Sequence, residues 1–214
     1  MNNYEKEKIL NIINSIKQRR QVFRATPCLQ TEEEFIVLAY LISKCNHLDG
    51  NFAEIGTYEG FTSEFIKYFI EKEKILYLCD TFEGLADVSE KDTNINIPNG
   101  SFNVDIEKFK IINSFYNDSF VSIVPGYFPQ SATNEMNNSK YAFVHIDTDT
   151  YLSTLSSLEY FYPLMVSDGI IVVHDFRNNK QCYGVNNAVN EFIKDKNVLL
   201  STFGNTTQAI ITKI

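Results

Sequence analysis

Positive charge is scarce in this chain: 19 Lys and Arg face 27 Asp and Glu over 214 residues, a formal net charge of -8. Nucleic-acid binding needs clustered cations to neutralise phosphates, so this balance argues against a DNA or RNA binder. The one basic cluster, "KQRR" at Lys17 to Arg20, closes an N-terminal helical pattern, where cations complement the helix dipole. Paired cysteines are missing too. Cys28, Cys45, Cys79 and Cys182 show no CxxC spacing, and Cys79 lies inside an apolar run, so they read as free thiols of a reducing compartment. No apolar run approaches the roughly 18 residues that span a bilayer. The N-terminal stretch mixes both charge signs and lacks the apolar segment of a secretory signal. These absences point to a cytoplasmic protein without membrane contact. Internal repeats and low-complexity tracts are also absent. What is present is the material of one folded domain, with 44% hydrophobic and 14% aromatic residues.

Apolar positions at helical spacing run from 4 to 18, and a second amphipathic helix follows from Glu32 to Lys44, with Thr31 and Glu34 spaced as a capping box. Residues 1–48 thus form an N-terminal helical extension packed on the domain of residues 49–214. There, short β-branched runs alternate with helices. Strand "NFAEIG" precedes a helix near Phe61 to Ile70, and "ILYLCD" one near Asp105 to Phe115. "VSIV" precedes a short helix or turn after Pro129, "YAFVHID" a helix over 151–164, and "GIIVVHD" a helix over 185–194. Such alternation gives a doubly wound, mostly parallel α/β sheet covered on both faces. "VLLST" and "QAIITKI", joined by a Gly204-Asn205 turn, predict a C-terminal antiparallel hairpin at the sheet edge. The polar segment 84–101 has no period and reads as a lid or a disordered tether.

In an open parallel sheet, ligands bind beyond the carboxyl ends of the strands. The first strand ends in "EIGTYEGFTS", where Glu54, Gly56 and Gly60 form an ExGxxxG turn. The second ends in Asp80, placed to accept hydrogen bonds from a ribose diol. Turn and acid together favour an adenosine-containing ligand. Without the GxGxxG pattern that seats a pyrophosphate, they tilt towards S-adenosylmethionine. The "HIDTDTY" stretch would turn His145, Asp147 and Asp149 to one side if extension persists. Neighbouring strands lie about 4.8 Å apart, so Asp147 and Asp175 at adjacent strand tips could share a divalent cation. Asp149 is equally suited to capping the helix that follows, and His145 to a hydrogen-bonded place in the core.

The runs "GNFAEIGTYEGFTS", "LYLCDTFEGL", "VSIVPGYFPQSA", "FVHIDTDTYLSTLSSLEYFYP" and "GIIVVHDF" with "GVNNAVNEF" resemble the macrocin O-methyltransferase-type family. The glycine turn is also similar to that of catechol O-methyltransferases. The resemblance covers roughly residues 28 to 213 in order. It implies a Rossmann-like seven-stranded fold and a methyltransferase that uses S-adenosylmethionine and Mg2+ on sugar hydroxyls of natural products. By position it implies Glu54, Gly56, Thr57, Tyr58 and Gly60 at the cofactor turn, and Thr62 or Ser63 at the methionine carboxylate. Asp80 falls at the ribose with Thr81 and Phe82 beside it, and Gly126 and Tyr127 at the adenine. Asp147 lies beside the cofactor and, with Asp175, at the metal. His174 or Asp149 would complete the metal set, and Asp149 is the candidate base. The chain departs from the macrocin-type paired acids at His174-Asp175 and from the catechol-type Asn at Phe176.

Two other readings compete. Asp147-Thr148-Asp149 is also a DxD arrangement, as in metal-dependent glycosyltransferases, and a cofactor-binding protein without turnover fits the same turn. The acceptor is a small molecule with a hydroxyl, of a sugar, polysaccharide or phenolic diol. The N-terminal helices are candidates for pairing subunits into a homodimer.

Overall fold

Two capped helices open the chain. Asn2 with Glu5, and Thr31 with Glu34, form reciprocal capping boxes that start α1 (Asn3–Val22) and α2 (Glu32–Cys45). Helix α1 outruns its expected end because "KQRR" does more than complement a dipole. Arg19 bonds Glu64 and the Ile112 carbonyl, and buried Arg20 bonds the Asn113 side chain and the Glu59 carbonyl. Tertiary partners hold the last turn in place. The computed structural model describes residues 2–71, 73–92, 97–178 and 181–214.

The strands are β1 (Asn51–Ile55), β2 (Leu76–Asp80), β3 (Val121–Pro125), β4 (Tyr141–Ile146), β5 (Met165–Val173), β6 (Val198–Thr202) and β7 (Ala209–Lys213). Between them run α3 (Phe61–Phe69), α4 (Ile106–Ile112), α5 (Asn134–Asn137), α6 (Tyr151–Phe161) and α7 (Tyr183–Phe192). They form one 7-stranded sheet in the order β3-β2-β1-β4-β5-β7-β6. β1 to β5 pair in parallel, while β7 pairs antiparallel with both β5 and β6. This is the mostly parallel sheet with a C-terminal antiparallel hairpin that the sequence predicts, and β7 lies inside the edge strand β6.

Side-chain alternation divides the core. Phe52, Phe143 and Val172 pack on one face with Ile13, Leu38 and Phe65 from α1, α2 and α3. Val144, Ile146 and Ile171 pack on the other with Leu158 and Phe161 of α6 and Val189 of α7. Each such buried side chain contributes roughly 1.5–3 kcal/mol. The N-terminal helices therefore belong to the same core as the central strands. β5 begins earlier than the apolar run suggests, through an irregularity that pairs Tyr141 with Met165 and then Phe143 with Ile170. It ends at Val173, so His174 and Asp175 lie beyond the strand. The strand order reverses between β1 and β4, and the crevice opens there.

Candidate functional site

The turn after β1 is held from below by β2 and β4. Gly56 has φ +84°, and a Cβ there would lie 2.0 Å from the Asp147 carbonyl oxygen, so only glycine lets these tips approach. Asp80 fixes the rest of the turn. Its Oδ2 accepts from the Thr57 and Tyr58 backbone N–H groups, each at 2.8 Å, and its Oδ1 from Phe82 N–H at 2.8 Å. Burial raises the Asp80 pKa, against the opposing pull of those donors. Gly60 caps α3 with φ +83° and makes room for Asn113 and Phe109, whose atoms would lie 2.7 and 2.8 Å from an added Cβ.

Gly56, Thr57, Tyr58, Thr62, Asp80, Thr81, Gly126 and Tyr127 all line one cleft. Glu54, Gly60, Ser63 and Phe82 are outside its lining. The Ser63 hydroxyl donates to Glu54, whose Oε1 meets His145 Nδ1 at 3.2 Å, and all three residues are buried. This strut ties β1, α3 and β4 together under the turn, and burial raises the Glu54 pKa. His145 is thus a hydrogen-bonded core histidine. The Phe82 ring packs edge-on against Phe109.

In the same cleft, Asp147, Asp149, His174 and Asp175 converge. His174 Nδ1 lies 3.1 Å from Asp147 Oδ1 and 3.3 Å from Asp175 Oδ2, and its Nε2 lies 3.6 Å from Glu34 Oε2. Strand alternation would have parted His174 from Asp175. The chain turns first, with Asp175 at φ +61°, and their side chains meet. Asp149, at φ +62°, faces Cys182 Sγ at 3.6 Å, and the same sulfur is 3.5 Å from Asp175 Oδ2. Burial works against charge on His174, but Asp147, Asp175 and Glu34 outweigh it and hold its pKa well above the ordinary value. Burial likewise opposes ionisation of Asp147, yet His174 brings its pKa down to about 2. Asp149 moves the other way: burial and the charges of Asp147 and Asp175 raise it well above the usual carboxylate range.

One ligand atom each from Asp147, His174 and Asp175 lies within 4.8 Å of the others. Two carboxylates and an imidazole at that spacing fit a divalent cation. Asp149, Asp175 and Cys182 form a second such group that shares Asp175.

A family model described as Macrocin-O-methyltransferase (TylF) matches residues 39–203. The chain belongs to that family. Its relatives include a Streptomyces olivaceus 8-demethyl-8-(2,3-dimethoxy-alpha-L-rhamnosyl)-tetracenomycin-C 4'-O-methyltransferase, 23% identical over 166 residues, 66% of this chain and 62% of that protein. Another is the Streptomyces niveus demethyldecarbamoylnovobiocin O-methyltransferase, 22% identical over 159 residues, 69% of this chain and 59% of that one. The chain thus spans less than two thirds of the length of either relative. Among solved structures, the O-methyltransferase NovP superposes with a TM-score of 0.75 at 17% identity, covering 98% of both chains. CalS11, a calicheamicin methyltransferase, gives 0.71 at 17% identity, covering 93% of this chain and 91% of that one. At these identities the structures show a shared fold.

Within this macrocin O-methyltransferase family member, Asp149 does not cap the helix that follows. The cap of α6 is Thr150, whose hydroxyl makes no capping bond, and the Tyr151 N–H is taken at 2.6 Å by Asp92 of the long polar segment. Asp149 is left facing the cleft. Membership of a methyltransferase family also removes support from the DxD reading. Sequence reasoning missed Gln30, which donates to Asp147 Oδ2 at 3.0 Å, and Glu34 beside His174. Only the capping box singled out Glu34, and nothing local marked Gln30. Of the segment 84–101, residues 93–96 lie outside the described residues; Gly84, Leu85 and Ala86 line the cleft. Among the described residues no helix is long and apolar enough to cross a membrane.

Proposed function

We propose that the protein transfers a methyl group from S-adenosylmethionine to a hydroxyl of a sugar or glycosylated natural product. A divalent cation, Mg2+ by family resemblance, would be held by Asp147, His174 and Asp175. The observation that carries this reading is the meeting of the Gly56–Gly60 turn and the Asp147 cluster in one cleft at the switch point. The names of the curated relatives, both O-methyltransferases and one acting on a rhamnosyl compound, support the acceptor class.

The turn residues Gly56, Thr57, Tyr58 and Thr62 would receive the amino-acid end of the cofactor. Asp80 would accept from the ribose: of the about four acceptor sites of a carboxylate, three go to backbone N–H groups, and the fourth meets the Thr57 hydroxyl only at 3.5 Å, a contact long enough for a ribose hydroxyl to replace. Gly126 and Tyr127 would line the adenine. S-adenosylmethionine supplies an electrophilic methyl carbon, and a bound divalent cation lowers the cost of ionising the acceptor hydroxyl. The acceptor oxygen–methyl bond forms as the sulfur–methyl bond breaks. Asp149, which lines the same cleft beside Asp175, takes the hydroxyl proton. Residues 84–92, tied down through Asp92, act as a cover that excludes water.

Calorimetric titration with S-adenosylmethionine tests the cofactor half: the wild type binds, and Asp80→Ala binds weakly or not at all. No binding to the wild type rejects the reading. Methyl transfer to candidate glycosides, abolished by a chelator and by Asp147→Ala, tests the catalytic half. Cofactor binding without transfer to any glycoside would instead favour a binding protein without turnover.

A further inference from the structure

The three protein donors of the cation site differ in kind, and that difference has consequences for which ion they hold. Mg2+ is a small, hard ion that prefers oxygen ligands and near-octahedral geometry, whereas imidazole nitrogen suits first-row transition metals. In the cluster, His174 presents Nδ1 between Asp147 Oδ1 at 3.1 Å and Asp175 Oδ2 at 3.3 Å, so the nitrogen is central to the group. Its other ring nitrogen faces a carboxylate. Glu34 Oε2 lies 3.6 Å from Nε2, and both residues are buried.

Glu34 is itself fixed. Its Oε2 accepts from Thr31 N–H at 2.8 Å, and its Oε1 accepts from Thr207 N–H at 3.0 Å and from the Thr207 hydroxyl at 2.7 Å. Histidines that ligate metals usually direct their second N–H to such a carboxylate, which fixes the tautomer and leaves the first nitrogen to the ion. Glu34 comes from α2 and Thr207 from the loop between β6 and β7. The arrangement is therefore built from elements distant in sequence, outside the two strand-tip motifs. Gln30 holds Asp147 Oδ2 at 3.0 Å, which turns Oδ1 to the histidine.

From this geometry we infer that His174 ligates the cation through Nδ1, with Glu34 as its positioning residue, and that the site takes a first-row transition metal in preference to Mg2+. The inference rests on the cluster being the cation site of the proposed methyltransferase. It concerns only which ion these donors select and which residue orients them.

The test uses the full chain freed of metal and titrated calorimetrically with Mn2+ and, separately, with Mg2+. Pulsed electron paramagnetic resonance on the Mn2+ form then looks for nitrogen-14 coupling. The chain has 3 histidines, and of the others His145 is turned to Glu54 and His47 lies outside the cleft lining, so a coupled nitrogen reports His174. The expected result is tighter binding of Mn2+ and a coupled nitrogen. His174→Asp should abolish that coupling and lower the Mn2+ to Mg2+ affinity ratio by about tenfold or more. Glu34→Gln should weaken Mn2+ binding by about 10–100-fold in the wild type and leave it unchanged in the His174→Asp background. A merely structural role for Glu34 would weaken both. Mn2+ bound without nitrogen coupling, or the same affinity ratio in wild type and His174→Asp, overturns the inference and leaves the methyltransferase reading standing. Binding of neither ion overturns the cation site itself. If His174→Asp does not fold, the coupling in the wild-type protein decides.

Discussion

Asp149 lies between Cys182 and Asp175 with no hydrogen bond to the helix that follows it. As the proton acceptor it should be replaceable in shape but not in chemistry. Asp149→Asn is expected to lower turnover by about 10²–10⁴-fold with S-adenosylmethionine affinity unchanged by calorimetry; turnover within a few fold of wild type would reassign the base. The Asp147–His174 pair gives a second test in the metal-free protein. Asp147 titrates at about 2 when folded, below about 3.9 unfolded, so its contribution is present above the unfolded value and lost as pH falls towards 2. His174 is raised, so its contribution is full below about 6.5 and lost as pH rises through its folded value. Thermal unfolding in chelator should therefore be highest between about pH 4 and 6.5, with an alkaline decline that His174→Asn flattens. The carboxylates of this pair of motifs were legible because strand ends in an α/β sheet point at the ligand crevice. Gln30 was not, since 117 residues separate it from Asp147 and no spacing rule spans that interval.

Among the elements, α6 draws its N-terminal cap from a loop far away in sequence. Asp92 Oδ1 accepts from Tyr151 N–H at 2.6 Å, and its Oδ2 from Ser89 N–H and hydroxyl at 2.8 Å each. Gly184, at the start of α7, leaves the space: a Cβ there would lie 1.8 Å from Asp92 Oδ1. Asp92→Ala should cost about 1 kcal/mol, a melting decrease of about 2–4 °C, and should speed protease cleavage within 84–92. Gly184→Ala should reproduce both effects by displacing the carboxylate. A melting decrease without faster cleavage would separate helix capping from control of the cover. The strands were readable because β-branched apolar runs carry their own signal. A polar, aperiodic sequence does not announce the bonds that tie residues 84–92 down, because Asp92 to Tyr151, Lys91 to Glu191 and Leu85 to Ser101 are all tertiary; the proposed cover was therefore not separable from a tether by sequence.

For the molecule as a whole, Arg20 joins parts that the sequence presents as separate. Its guanidinium bonds Asn113 Oδ1 at 2.9 Å and the Glu59 carbonyl at 2.8 Å, approaches Glu59 Oε2 at 3.8 Å and lies over the Phe61 ring. Helix α1, the Gly56–Gly60 turn and the end of α4 thus meet at one cation that is 3% exposed. Read from the sequence, it was one of a basic cluster complementing a helix dipole, because burial of a charge is decided by the packed tertiary structure. Glu59 keeps Lys108 at 2.6 Å and its carbonyl keeps Asn113 Nδ2 at 2.8 Å, whereas Asn113 Oδ1 loses its buried donor, so Arg20→Ala should destabilise by about 1–3 kcal/mol. Loosening Glu59 and Phe61 should also weaken S-adenosylmethionine binding in the same turn. Arg20→Lys should rescue little, since one ammonium cannot meet the carbonyl, the amide and the ring together. Lys17→Ala, at an exposed pair with Glu32, serves as the control and should cost no more than about 1 kcal/mol. Denaturant unfolding with parallel calorimetry decides the matter: equal losses for Lys17→Ala and Arg20→Ala would mean that the N-terminal helix packs on the sheet without bracing the Gly56–Gly60 turn.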